Sequence, residues 1–198
     1  MGDVLVVEIS GKRPGDCRKR CTEKIKIKYD HVIISNNSDG YITDWKIVNV
    51  PAEYENWYKK NIKTNDKSYY APMNRSYAIQ YAKENGYKYL VQLDDNIRLL
   101  QFAYTINEKI DDITFQKKYR VCSNPKTISD MMNDFIDCLV MMIQCTNAGI
   151  SGCSICGAGA PGSKYLSERY CYSLFCLDVD RVSSLIYQGD FEDDMRIS

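Results

Sequence analysis

Histidine is almost missing from this chain of 198 residues; its one copy is His31. That excludes a multi-histidine metal centre and leaves any metal to oxygen or sulfur ligands. Long apolar runs are missing too. None approaches the roughly 20 residues that a bilayer-spanning helix needs, so no membrane partner is expected. The start, Met1-Gly2-Asp3-Val4, has neither the basic region nor the small-residue cleavage site of a secretory signal. Position 6 is Val6 rather than Ser or Thr, which excludes myristoylation of Gly2. The expected location is the cytoplasm. There is no excess of either charge: 26 Lys+Arg face 26 Asp+Glu.

Cysteine, by contrast, is plentiful. Nine copies are an odd number, in a chain too long to be a small stapled scaffold, so a disulfide framework is not expected. Cys153 and Cys156 form a lone CxxC with no second pair beside it. They read as reduced, packed thiols rather than as a zinc or redox pair.

What remains is ordinary globular material, 44% hydrophobic and 26% charged, enough for one sizeable domain. The charge is unevenly spread. Residues 1–90 carry 16 Lys+Arg against 11 Asp+Glu, and residues 91–198 carry 10 against 15. An acidic half can hold a divalent cation and a basic half can meet phosphates, although solvated charged faces give the same counts.

Val4–Ile9 reads as a buried strand ended by the turn-forming cluster Gly11-Lys12-Arg13-Pro14-Gly15. Residues 16–28 suggest a basic helix. His31–Ser35 and Trp45–Val50 read as strands, Glu53–Ile62 as a short helix, and 63–70 as a loop. The pattern predicts a helix over Pro72–Asn85, with Pro72 in its first turn and Gly86 just past its end. Tyr87–Leu93 follows as a strand that runs into Asp94-Asp95-Asn96, and Ile97–Phe102 as another. Residues 103–125 fit no single pattern. Thr127–Ala148 keeps the helical period, with Thr127 and Asp130 as a capping box and Gly149 as a stop. Its methionines read as core filler. Strands around Ile150–Cys156 and Tyr170–Leu177, then a helix over Asp180–Tyr187, complete the expected elements. Alternating strands and helices predict an α/β sheet, largely parallel in its first half. Ligands then bind at the carboxyl ends of the strands, where Gly11–Gly15, Ser35–Gly40 and Asp94–Asn96 all fall.

Two carboxylates and a carboxamide at the mouth of a strand form a hard-oxygen site. Mg²⁺ and Mn²⁺ prefer such oxygens and complete their shells with water and substrate phosphate. A cation there neutralises charge on a departing diphosphate. The bland alternative is a polar strand end with a capping Asp.

The stretch from Ala71 to Ile97 holds an Asn74-Arg75-bearing helix, the strand Tyr89-Leu90-Val91-Gln92-Leu93 and then Asp94-Asp95-Asn96. In this it resembles GT-A glycosyltransferases and their DXD-type metal motif. The Asp-Asp-Asn form most resembles the phage and TET-associated glycosyltransferases of hydroxymethylated DNA bases. The opening Glu8-Ile9-Ser10-Gly11-Lys12-Arg13-Pro14 is similar to that group's first strand and Arg-Pro turn. Phe191-Glu192-Asp193-Asp194 looks like the Glu-Asp motif that holds acceptor and base in inverting members. The likeness spans about residues 4–102 and 150–196. Two departures stand out: Asn96 replaces the Asp of many members, and no metal-binding His follows the Glu-Asp motif.

The resemblance implies a single GT-A-like (Rossmann-like) domain, a mixed sheet flanked by helices. Its nucleotide-sugar half would be about 1–102 and its acceptor half about 103–198. It implies a nucleotide-sugar donor, probed first as a UDP-sugar, Mn²⁺ or Mg²⁺ as cofactor, and DNA as one acceptor. If the chain is phage-encoded, the location becomes the host cytoplasm. Asp94 would face the ribose, and Asp95 and Asn96 the metal. Lys12 and Arg13 would line the nucleotide pocket, or form a plain basic turn. Asp39 would meet the uracil or ribose, or make an Asx-turn. Arg75 would fork onto phosphate or base, or lie on a helix surface. Asp193, beside Glu192, would take the acceptor proton, or cap a helix. Other readings stay open: a protein or glycan transferase, a nucleotidyltransferase, and a non-catalytic nucleotide-sugar-binding module. The oligomeric state is not legible.

Overall fold

The computed structural model describes residues 2–11, 25–62, 69–95, 97, 102–110, 113–121, 125–153 and 173–187. Eight strands and three helices are formed among them. They are β1 Val4–Ser10, β2 Asp30–Ser35, β3 Lys46–Asn49, α1 Ala52–Asn61, α2 Tyr70–Glu84 and β4 Tyr89–Asp94. Then come β5 Phe102–Ile110, β6 Ile113–Val121, α3 Pro125–Thr146, β7 Ile150–Gly152 and β8 Leu174–Asp178.

Six strands make one mixed sheet in the order β3-β2-β1-β4-β8-β7. The first four run parallel, and β8 pairs antiparallel with both β4 and β7. β1 and β8 are buried throughout, as strands of a sheet covered on both faces should be, with Glu8, Ser10 and Asp178 buried among their apolar residues. The chain leaves β1 for β2 and β3 on one side, then returns to lay β4 on the other. The sheet therefore has a topological switch point between β1 and β4.

Strand alternation sends two apolar sets to opposite faces. Leu5, Val7, Ile9 and Leu90 join Met73, Ala78 and Ala82 of α2 in one core. Val4, Val6, Val91 and Leu93 join Met132, Ile136, Leu139 and Ile143 of α3 in the other. The α3 set follows the helical period. Among the described residues, no helix is long and apolar enough to cross a membrane.

The end of α2 follows the expected chemistry. Gly86 takes φ +73°, the Tyr87 amide reaches the Ala82 carbonyl, and the Gly86 amide reaches Lys83. Those two bonds make a Schellman motif, which satisfies carbonyls that have no helical partner. α3 ends otherwise than expected. Asn147, not Gly149, adopts the left-handed conformation (φ 60°) just past Thr146. Asn tolerates that region through its short polar side chain. At the other end α3 begins at Pro125, so Thr127 lies inside the helix and does not cap it.

Two expected helices are absent where they can be judged. Ile25–Tyr29 is not helical. The Asn133 side chain takes up its backbone groups, accepting from the Lys28 amide and donating to the Lys26 carbonyl. Residues 16–24 lie outside the described set. Residues 179–184 form turns and 185–187 no regular structure, in place of the expected helix. Its last residue is fixed from outside: the Tyr187 amide donates to Ser76 Oγ at 2.9 Å, and the Tyr58 hydroxyl donates to the Tyr187 carbonyl. A backbone committed to two side chains cannot also continue a helical ladder. Residues 103–110 and 113–121, which fit no pattern, form the hairpin β5–β6, and Phe102 opens it.

Cys176 is fully buried in β8, and burial pushes its thiol up to about 12, whereas Cys138 and Cys145 are exposed on α3. Since the thiolate is the reactive form, brief iodoacetamide treatment of native protein should label Cys138 and Cys145 and spare Cys176 until urea is added. Peptide mapping by mass spectrometry checks this. Native labelling of Cys176 as fast as Cys138 would contradict the packing.

Candidate functional site

Parallel strands end together, so the last residues of β1, β2 and β4 meet at one rim of the sheet. Register sets Ile9 beside Asp94 and Ser10 beside Ser35. The residues that follow, Gly11, Asn36 and Asp95, lie at the switch point, and open α/β sheets bind ligands in the crevice outside such strand ends.

Asp95 is buried at 7% exposure. Ser10 donates to its Oδ2 at 2.7 Å. A hydroxyl has one proton, so the 2.8 Å contact between Tyr41 and Ser10 must be a bond donated by the Tyr41 hydroxyl. Asp94 is partly open, its side chain 21% exposed, and Arg75 Nη2 donates to its Oδ1 at 2.5 Å. The Arg75 side chain is only 3% exposed and its guanidinium lies 5.3 Å from the Phe175 ring centre. Arg75 is therefore no surface arginine. What it holds in the structure is Asp94.

Asn74 sits one residue before Arg75 on α2. Its Nδ2 donates to the Ser10 carbonyl at 2.9 Å. Two successive residues of one helix thus hold the ends of the two strands that flank the switch point. Gln92 on β4 adds a third tie, its Nε2 donating to the Arg75 carbonyl at 3.0 Å. The β4 end is also tied to the start of β8, where the Asp94 amide donates to the Ser173 carbonyl.

Gly11 lets the Asn36 side chain come close; a larger residue would make that side chain shift. A Cβ at that position would lie 2.8 Å from Asn36 Oδ1, closer than a carbon can approach. Three buried carboxamide oxygens, those of Asn36, Asn74 and Gln92, accept no hydrogen bond.

Of the residues expected from sequence, Arg75, Asp94 and Asp95 are brought together. Asp39 is exposed in the neighbouring loop that also carries Tyr41. The Tyr41 amide closes a turn on the Ser38 carbonyl, with Gly40 at φ +73°. The Asx-type bond there is made by Asn37, whose Oδ1 accepts from the Asp39 amide. Lys12, Arg13, Asn96, Glu192 and Asp193 lie outside the described residues. Cys153 is half-buried against the α3 core, and Cys156 lies outside the described set. Asn36 belongs to the Ser35–Gly40 cluster that the sequence places at a strand end, whereas Ser10, Tyr41 and Gln92 were not expected as site residues. Ser10 could have been found as a polar residue at a strand mouth, whereas Tyr41 carries no signal in one sequence.

A divalent cation fits the donor set. Among the described residues no three His, Cys, Asp or Glu cluster, but Mg²⁺ and Mn²⁺ need only one or two carboxylates when substrate phosphate supplies the rest. Asp94 and Asp95 supply two.

Compared with protein-family models, with curated proteins and with solved structures, the chain matches none of them.

Proposed function

We propose that the crevice is the donor site of a metal-dependent glycosyltransferase with a GT-A-like fold, taking a nucleotide-sugar and passing the sugar to a hydroxyl. One observation carries this reading: Asp94 and Asp95 stand at the switch point, one braced by buried Arg75 and the other by buried Ser10. Fixed carboxylates in a half-buried crevice are suited to holding a cation and a diphosphate. The mixed sheet is of the kind that the resemblance implies.

In the proposed reaction the acceptor oxygen attacks the anomeric carbon. The bond from that carbon to the β-phosphate oxygen breaks, and the nucleoside diphosphate leaves. A bound Mn²⁺ or Mg²⁺ would neutralise the charge left on the diphosphate. Asp94 and Asp95, with Asn96, would orient that group. Arg75 is a positioning residue, since it reaches the site through Asp94. Asp193, seconded by Glu192, would receive the acceptor proton. The proposed acceptor is a hydroxymethylated pyrimidine in DNA, and a radiolabelled UDP-sugar offered with modified and unmodified DNA tests it. Label passing to protein or glycan alone would remove DNA and keep the donor site.

Three outcomes test the site. UDP with Mn²⁺ should raise the melting temperature through binding to the folded state, and Asp95→Ala should abolish the metal-dependent part. If UDP, GDP and other nucleotides with metal all leave the curve unchanged, the reading loses its base. Asp94→Ala should cost about 3 kcal/mol in urea unfolding, because it strips a buried guanidinium of a counter-charge. A change below about 0.5 kcal/mol would show that Arg75 does not depend on it. Asp193→Asn should preserve donor binding and lower turnover on the order of 100-fold, the usual loss for a general base. Weakened donor binding at unchanged turnover would place Asp193 in the metal shell instead.

A further inference from the structure

Asn74 and Arg75 turn toward the strand ends, but the next residue of α2, Ser76, belongs to the wall of a separate cavity. Its volume is about 730 Å³, within the range of small-molecule sites. It lies between α1, the second half of α2 and the segment 183–186, and neither Asp94 nor Asp95 lines it.

The apolar part of the cavity is aromatic and held in place. Trp57 on α1 is 41% exposed. Its ring is braced all the same: Tyr54 lies 5.5 Å away, and the buried Tyr77 lies 5.0 Å from Tyr54, with interplanar tilts of 40° and 60°. A large ring held by its neighbours and still open to solvent offers a flat contact at little further entropic cost.

The polar part is rich in hydrogen-bonding groups. Glu53 and Glu84 line the cavity, and Gln80 Nε2 donates to Glu84 at 2.7 Å. Ser183 and Ser184 add two hydroxyls, and Lys83 is the single base of the described lining. Two acids against one base repel a phosphate or a carboxylate. A wholly apolar ligand would strip water from both acids without replacing its hydrogen bonds. What fits is a neutral ligand with one apolar face and many hydroxyl groups. Carboxylates accept strongly from hydroxyls, and the negative face of an aromatic ring attracts the positive ends of C–H bonds.

We propose that this cavity is a carbohydrate-binding site, in which the C–H face of a pyranose ring lies on Trp57 and its hydroxyls bond to Glu53, Glu84 and Gln80. The assignment is independent of the donor site at the strand ends.

Saturation-transfer NMR of the full chain with maltotriose, cellotriose, mannotriose and chitotriose should show binding of at least one, with a roughly millimolar dissociation constant. Trp57→Ala should weaken it at least about tenfold, as loss of an aromatic anchor does. Gln80→Trp, at an exposed helix position, should fill the cavity and block binding as well, so the test survives a Trp57→Ala that misfolds. Trp57→Ala should leave the melting response to UDP and Mn²⁺ as it is in the wild type, which separates this cavity from the donor site. No transfer to any of the four trisaccharides at about 10 mM, a concentration well above that constant, overturns the proposal. Saccharide binding that folded Trp57→Ala and Gln80→Trp both leave unchanged overturns it too. Transfer to uridine or to choline alone, lost in Trp57→Ala, would give the cavity to another ligand class and overturn it likewise.

Discussion

A guanidinium with 3% of its side chain exposed is costly unless a charge answers it, and in this fold Asp94 answers Arg75. That pair ties α2 to the end of β4. The neighbouring Asn74 ties the same helix to the end of β1. Because α2 also presents Met73, Ala78 and Ala82 to the core, the strand ends inherit the rigidity of a packed helix. Ser10 extends the arrangement by linking Asp95 to Tyr41, so the loop after β2 is bound to the loop after β4.

What was legible in the sequence follows from where local chemistry decides the outcome. β1, β2 and β4 are apolar runs with turn-formers after them, and no other conformation buries them so well. α2 declares itself through Pro72 in its first turn and Gly86 just past its end, both acting locally. The position of the acid pair at the switch point followed from the strand that precedes it. The segments that misled are those whose structure is imposed from a distance. Ile25–Tyr29 looks helical until Asn133, more than a hundred residues on, takes its backbone groups. The segment 179–187 loses its helix to Ser76 and Tyr58 in the same way.

The site was legible in its charged part and not in its neutral part. Asp94, Asp95 and Arg75 are rare enough in such a setting to be noticed. Tyr41 and Gln92 are common residues whose importance lies in the partner each meets, Ser10 for one and the Arg75 carbonyl for the other, which only three-dimensional contact reveals. Arg75 is instructive: its presence was foreseen, but its engagement with Asp94 depends on the geometry of α2 against β4.

The sheet is closed off at both sides by stubs, β3 of four residues and β7 of three. Short edges offer few unpaired backbone groups and so resist the strand-by-strand growth that leads to aggregates. The interior strands are paired on both sides. Long open edges occur, among the described residues, only along the nine-residue strands of the hairpin. Among the described residues, the six-stranded sheet thus presents only short edges to strand addition.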